Sequence, residues 1–241
     1  MPRDWLFVSD VDDTLLGDDE AVGAFADWYT VAKPFLRLSL NSGRFFDSVR
    51  KSVRASGLPE PDAYIGGVGT DICFPPDGQR LAGWPVAAGD WDVRVIRQVC
   101  GEFQELESQP EYLLSPYKIS YYGHGLDAAY LERLRRRLAE AGQGARVVYS
   151  SRRDLDVLPA GANKGTAVAH LAQHWRIDPS RVIVAGDSGN DLDMFQQGFL
   201  GIVVGNAHAE LKSLRDANVY HARRGYAAGV LEGLRHWLEK Q

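Results

Sequence analysis

Asp10-Val11-Asp12-Asp13-Thr14 places two carboxylates one residue apart, directly after an apolar run, Trp5-Leu6-Phe7-Val8. Carboxylates crowded at the end of a buried strand repel each other and are costly to desolvate, so they must share protons or hold a hard cation. The spacing suits phosphoryl transfer. One carboxylate attacks phosphorus and forms an acyl phosphate; the other protonates the leaving alcohol and then activates water. An acidic strand-to-helix turn is the plainer reading, because Asp favours turns and helix starts. A second acidic loop weighs against it: Gly186-Asp187-Ser188-Gly189-Asn190-Asp191 follows the apolar run Val182-Ile183-Val184-Ala185. Two such loops from opposite ends of the chain predict one Mg²⁺ site, since Mg²⁺ takes a few carboxylates together with water and phosphate oxygens.

Two other segments fit the same chemistry. Ser42-Gly43-Arg44 offers a hydroxyl and backbone N–H groups at a predicted helix N-terminus, a cradle for phosphate. Serine in that place is commonly only a cap. Lys164 opens a predicted helix after Gly161-Ala162-Asn163, where the helix dipole disfavours a cation. An anion is therefore expected beside it, and both phosphate and Asp10 qualify.

The elements that must position these residues alternate between strand and helix patterns. Trp5–Ser9, Phe35–Leu40, Ala63–Gly66, Val182–Ala185 and Gly201–Val204 read as apolar strands. Asp18–Thr30, Arg44–Ser56, Lys164–Trp175, Leu192–Gln197 and Ala227–Glu239 read as helices. The fold class this implies is α/β, a Rossmann-like parallel sheet covered on both faces, with ligands beyond the strands' carboxyl ends. Asp10, Ser42 and Asp187 all fall there.

The middle of the chain follows another rhythm. Helix Trp91–Leu106, strand Lys118–Tyr122, helix Asp127–Ala141 and strands Arg146–Ser150 and Leu155–Leu158 lie between two Pro- and Gly-containing stretches, Phe74-Pro75-Pro76-Asp77-Gly78 and Pro159-Ala160-Gly161. An α+β cap domain over residues 80–158 is predicted, inserted into a core made of 1–79 and 159–241. In that cap Lys118, Ser120 and Tyr122 share one strand face, as do Asp154 and Asp156. Such a face can bind several sugar hydroxyls, although the solvent side of an antiparallel sheet looks the same.

Composition narrows the function classes. Net charge is −5, which gives no general attraction to nucleic acid or an anionic membrane. The two cysteines have no metal-like spacing, so a reducing, cytoplasmic setting is expected. An N-terminal segment that turns charged within a dozen residues predicts neither a signal peptide nor a membrane span.

Asp10-x-Asp12-x-Thr14, Ser42, Lys164 and Gly186-Asp187-x-x-x-Asp191 together resemble, in order and spacing, the four motifs of the haloacid dehalogenase superfamily of phosphatases. The resemblance implies Asp10 as nucleophile, Asp12 as general acid and base, and Ser42 and Lys164 as phosphate ligands. It implies Mg²⁺ held by the carboxylates of Asp10 and Asp187 and the backbone carbonyl of Asp12, with Asp191 supporting through water. The insert corresponds to a type-2 cap, and Gly205-Asn206-Ala207 recurs in that subgroup.

A closer resemblance, to bacterial sucrose-phosphate phosphatases, extends over nearly the whole chain. It is carried by Val68-Gly69-Thr70-Asp71-Ile72, Tyr117-Lys118-Ile119-Ser120-Tyr121, Asp154-Leu155-Asp156-Val157-Leu158-Pro159, Asn163-Lys164-Gly165 and the second acidic loop. Mannosylfructose-phosphate phosphatases are similar over the same span. Asp13 and Ser42 depart from the commonest form, in which Thr replaces Ser42.

The implied reaction is Mg²⁺-dependent hydrolysis of a disaccharide phosphate, most simply sucrose 6-phosphate. Gly43, Arg44, Gly69, Thr70, Asp71, Lys118, Ser120, Asp154, Asn163 and Asn190 are the further substrate-binding candidates. The upstream glycosyltransferase is a candidate partner, and no nucleic acid or membrane is expected. A sugar phosphomutase and a non-catalytic sugar-phosphate sensor are the competing readings.

Overall fold

Trp5–Asp10 forms strand β1, buried along its whole length as a central strand of a sheet covered on both faces must be. The computed structural model describes residues 3–85, 90–150 and 152–239. After β1 come α1 (Asp19–Ala32), β2 (Leu36–Asn41), α2 (Phe46–Ser56), β3 (Ala63–Gly66), β4 (Asp71–Phe74) and β5 (Gln79–Arg80). The middle carries α3 (Val93–Cys100), β6 (Glu107–Ser108), β7 (Ile119–Tyr122), α4 (Ala128–Glu140), β8 (Ala145–Ser150) and β9 (Asp154–Pro159). The last third holds α5 (Lys164–His174), β10 (Val182–Gly186), α6 (Leu192–Phe195) and β11 (Leu200–Val203). It closes with α7 (Ala209–Lys212), β12 (Val219–His221) and α8 (Tyr226–Leu238).

The chain divides into two units, one of Met1–Leu81 with Lys164–Gln241 and one of Ala82–Asn163. Both borders fall a few residues later than the composition suggests. In the first unit the sheet order is β12-β11-β10-β1-β2-β3-β4-β5. Pairing is parallel from β12 to β3. It turns antiparallel at β3–β4 and β4–β5, so the sheet is mixed rather than purely parallel. The reason is two short connections: residues 67–70 join β3 to β4, and Phe74-Pro75-Pro76-Asp77-Gly78 is the turn of the β4–β5 hairpin rather than a domain border, with Gly78 N–H donating to the Phe74 carbonyl at 3.0 Å.

Register lines up the chemistry. Asp10 pairs with Asn41 on β2, and Ser9 pairs with Ala185 on β10, so three neighbouring strands end together. Helix α1 starts where Asp18 accepts the N–H of Ala21, and it buries Val22, Phe25 and Tyr29.

The second unit has a four-stranded antiparallel sheet, β6-β7-β9-β8. Ile119, Tyr121, Leu155 and Val157 face a core shared with Ile96 of α3 and Leu134 and Leu138 of α4. The expected helix over 91–106 is shorter than its apolar period suggested. Asp92 caps its start by accepting the N–H of Arg94, and at Gly101 the chain turns. Phe103 and Leu106 keep the apolar spacing because they still pack on that core, from irregular backbone.

Candidate active site

Asp10 ends β1, and Asp187 follows directly on the end of the neighbouring β10. Oxygens of Asp10, Asp187 and Asp191 lie within 4.8 Å of one another, and all three residues are buried. Asp191 is fixed by its own loop, where its Oδ2 accepts the N–H groups of Asp187 at 3.1 Å and Ser188 at 3.2 Å. Thr14 Oγ1 donates to Asp187 Oδ1 at 3.0 Å and ties the first acidic loop to the second.

Lys164, with no exposed surface, is the counter-charge. Its Nζ donates to Asp10 Oδ1 at 2.6 Å, Asp191 Oδ1 at 2.6 Å and Asn190 Oδ1 at 2.9 Å. All three ammonium protons are thereby engaged. Its backbone carbonyl accepts from Asn41 Nδ2 at 3.2 Å, which fixes the start of α5 against the end of β2. Gly165 permits that fit, because a Cβ there would stand 2.0 Å from the Asp193 carbonyl oxygen.

Three carboxylates against one ammonium give the cluster a formal charge of two negative when all three are ionised. Burial, reinforced by Asp191 and Asp187, pushes the Asp10 carboxyl well above the ordinary range despite Lys164. Asp187 is pushed up to about 6, chiefly by burial and then by Asp191. For Lys164, burial favours the neutral form, but the adjacent Asp10 and Asp191 outweigh it and keep the ammonium charged. Oxygen-only donors with a two-charge deficit fit a hard divalent cation. The outer oxygens fit too. Asp10 Oδ2 and Asp187 Oδ2 accept no hydrogen bond among the described residues, while both oxygens of Asp191 are occupied.

Other residues stand differently from the sequence reading. Asp12 is outside the carboxylate cluster: its side chain is 56% exposed and pairs with Arg44 at 2.9 Å. The metal role that the resemblance implies for Asp12 is that of its backbone carbonyl, which this placement of the side chain leaves untouched. Ser42 is buried but does not stand at a helix start, because α2 begins at Phe46 with Phe45 as its N-cap. The Ser42 hydroxyl instead accepts the Arg44 N–H at 3.1 Å, holding Gly43 in a tight loop. Arg44, a substrate-binding candidate, spends its guanidinium on Asp12 and on Ser52 at 2.8 Å.

The Gly69-Thr70-Asp71 segment is brought to this loop. Val68 N–H donates to the Ser42 carbonyl at 3.2 Å, and Gly67 N–H to that of Arg44 at 3.0 Å. Thr70 is turned back onto Gly67, and Asp71 pairs with Arg80 at 3.1 Å. Asn190 is held by Lys164, and Asn163 is the residue immediately before α5.

Within the second unit the polar sheet face is a connected chain rather than a solvated surface. Lys118, 6% exposed, donates to Ser120 Oγ at 2.6 Å and lies 2.8 Å from Asp156; Ser120 Oγ donates to Asp156 at 2.6 Å. Asp154 accepts from Gln109 Nε2 at 3.0 Å. Gln109 carried no sequence signal, since β6 beside it is only two residues long. Thr14 had one, four residues beyond Asp10, but its partner could be seen only in three dimensions.

Comparison with known proteins gives the family. A mannosylfructose-phosphate phosphatase from Agrobacterium fabrum is 38% identical over 238 residues, 96% of either chain. A sucrose-phosphatase from Nicotiana tabacum is 31% identical over 249 residues, which cover 96% of this chain and 59% of that protein. The X-ray structure of a sucrose-phosphatase from Synechocystis, solved with sucrose and phosphate, matches 98% of both chains with a TM-score of 0.90 and 31% identity. The family model for sucrose-6F-phosphate phosphohydrolase matches residues 3–238. With its two acidic loops, its buried lysine and its inserted unit set in that fold, the chain belongs to the sucrose-6F-phosphate phosphohydrolase family of the haloacid dehalogenase superfamily.

Proposed function

We propose that this chain is an Mg²⁺-dependent phosphatase that hydrolyses a disaccharide phosphate, with sucrose 6-phosphate as its principal substrate. The observation that carries the reading is the buried carboxylate trio only partly neutralised by one lysine, in a chain of this family. Asp10 attacks phosphorus and forms an aspartyl phosphate, while the leaving sugar oxygen takes a proton from Asp12. Asp12 then accepts a proton from the water that attacks the acyl phosphate, releasing phosphate and restoring Asp10. The carboxylates of Asp10 and Asp187 and the carbonyl of Asp12 would hold Mg²⁺, with Asp191 acting through water. When bound, Mg²⁺ supplies charge neutralisation for the phosphate oxygens.

Ser42 and Lys164 bind the phosphate in this reading. Lys164 reaches it only by releasing one partner, and Asn190 holds the longest of its three bonds. Gly43, Arg44 and the 69–71 segment line the approach. The second unit reads the sugar through Lys118, Ser120 and Asp154. A cytoplasmic setting accords with two buried, free cysteines, and among the described residues no helix is long and apolar enough to cross a membrane. The glycosyltransferase that makes the disaccharide phosphate is the protein partner this reading implies.

Mannosylfructose phosphate is the second reading, favoured by the 38% identity to the Agrobacterium enzyme. Phosphate release from sucrose, mannosylfructose, trehalose and glucose phosphates decides between them. We expect a disaccharide phosphate to lead the panel and chelator to abolish turnover. Preference for glucose 6-phosphate would remove the disaccharide reading.

Lys118→Ala is expected to raise the KM for the disaccharide phosphate by about 10-fold or more, the scale of a lost charged hydrogen bond. Hydrolysis of p-nitrophenyl phosphate should be unchanged. A loss confined to the aryl substrate would contradict a sugar-reading role.

A further inference from the structure

Residues 205–208, between β11 and α7, touch both acidic loops. Asn206 Nδ2 donates to the carbonyl of Asp13 at 2.7 Å, and His208 N–H donates to the carbonyl of Asp187 at 2.7 Å. The other end of the Asn206 amide serves a third segment: its Oδ1 accepts the N–H of Tyr226 at 2.8 Å. Tyr226 opens α8, whose N-cap is Gly225 and supplies no side-chain acceptor of its own. One side chain thus joins the first acidic loop, the loop after β11 and the start of α8.

The acidic loop needs such a hold. Asp13 has φ of 60°, in the left-handed region, where a non-glycine residue persists only if its surroundings over-determine it. Thr14, the next residue, is pinned through its hydroxyl to Asp187. Asp12, the preceding residue, is largely exposed, and among the described residues its carboxylate is paired with Arg44 alone. The turn is closed from within by the Val11 carbonyl, which accepts the N–H groups of Leu15 at 3.1 Å and Leu16 at 2.9 Å, and among the described residues the Asp13 carbonyl is where a side chain from outside the loop ties its backbone down.

We propose that Asn206 is a positioning residue for the proton-transfer step: by holding the Asp13 carbonyl it fixes the turn that aims the Asp12 carboxylate at the leaving oxygen. Capping α8 requires only the acceptor oxygen of Asn206. The donor nitrogen, turned to the acidic loop, is the part that serves the reaction. The inference rests on the assignment of Asp12 as general acid, so the test carries its own reference for that assignment.

Asn206→Asp keeps an acceptor for Tyr226 N–H, and its charge is favourable at a helix N-terminus. It loses the donor to Asp13. Two substrates separate positioning from general damage. Sucrose 6-phosphate or mannosylfructose phosphate, whichever the wild type prefers, has an alkoxide leaving group that needs a proton; 2,4-dinitrophenyl phosphate does not. Because kcat/KM reports only steps up to departure of the leaving group, it isolates the acid's role.

For Asn206→Asp, kcat/KM on the sugar phosphate is expected to fall about 10- to 100-fold, the scale of a misaimed catalytic group. On the dinitrophenyl ester it should stay within about 2-fold, because no general-acid contribution is at stake there. Asp12→Asn should show the same split more strongly, and the melting temperature of Asn206→Asp should match the wild type. If Asp12→Asn shows the split and Asn206→Asp loses both substrates equally, or neither, the positioning role is wrong. If Asp12→Asn shows no split, the acid assignment fails and the proposal falls with it.

Discussion

Asp10→Asn should abolish phosphate release, with a loss of about 10⁴-fold or more, the scale seen when a nucleophile in a cooperating catalytic set is removed. The fold should survive. Asp10 is one of three buried carboxylates sharing a single ammonium, and burial already drives its carboxyl well above the ordinary range. Asparagine removes a negative charge from that cluster and keeps an oxygen able to accept from Lys164. Thermal melts are therefore expected within a few degrees of wild type, and phosphate release on the preferred disaccharide phosphate gives the activity. Retention of wild-type turnover would rule out the aspartyl-phosphate route.

Lys164→Met should be damaging in the opposite sense, costing stability as well as activity. Its ammonium is the sole cation hydrogen-bonded to Asp10 and Asp191 among the described residues, and it is completely buried. Removing one partner of a buried ion pair typically costs about 3–5 kcal/mol, because the other charge is left uncompensated. The pH dependence carries a definite sign. Burial and the neighbouring Asp191 push Asp187 up to about 6 from the ordinary 3.8, and Asp10 is also raised, chiefly by burial. A carboxyl raised in the folded state contributes stability present at low pH, and that contribution fades as pH rises through the folded value. Without the lysine both groups rise further. The deficit of Lys164→Met relative to wild type should consequently be larger at pH 7.5 than at pH 5, and Mg²⁺ should offset part of it. Denaturant melts at the two pH values, with and without Mg²⁺, provide the check. An equal loss at both would mean that the lysine acts by packing rather than charge.

Much of this centre could be read from the chain itself, for a physical reason. Asp10, Asp187 and Lys164 each sit at a strand end or a helix start, and those boundaries are announced by the apolar runs and glycines beside them. The mixed sheet was hidden because β4 and β5 are short, and their Pro-rich turn looks like a linker. The helix start expected at Ser42-Gly43-Arg44 falls later, because Phe45, which carries no capping side chain, is the N-cap of α2. The engagement of Asp12 by Arg44, and of Asp13 by Asn206, joins residues distant in sequence, and no local pattern encodes either contact. The polar chain from Lys118 to Asp156 had the right face, but its burial depended on packing that alternation alone does not specify.

The bonds that assemble the centre also set an order of construction. Lys164 is 154 residues from Asp10, and Thr14 is 173 residues from Asp187. During synthesis the first acidic loop leaves the ribosome long before its lysine, its second acidic loop or the strand that must pair beside β1 has been made. The interrupting unit, Ala82–Asn163, is contiguous and closes its own sheet from nearby segments, at a smaller entropic cost. It is therefore free to fold while the surrounding unit waits for its other half. The carboxylate cluster is complete only when β10 takes its place between β1 and β11, so a chain truncated before Val182 holds a finished insert and an Asp10 without Asp187 and Asp191 beside it.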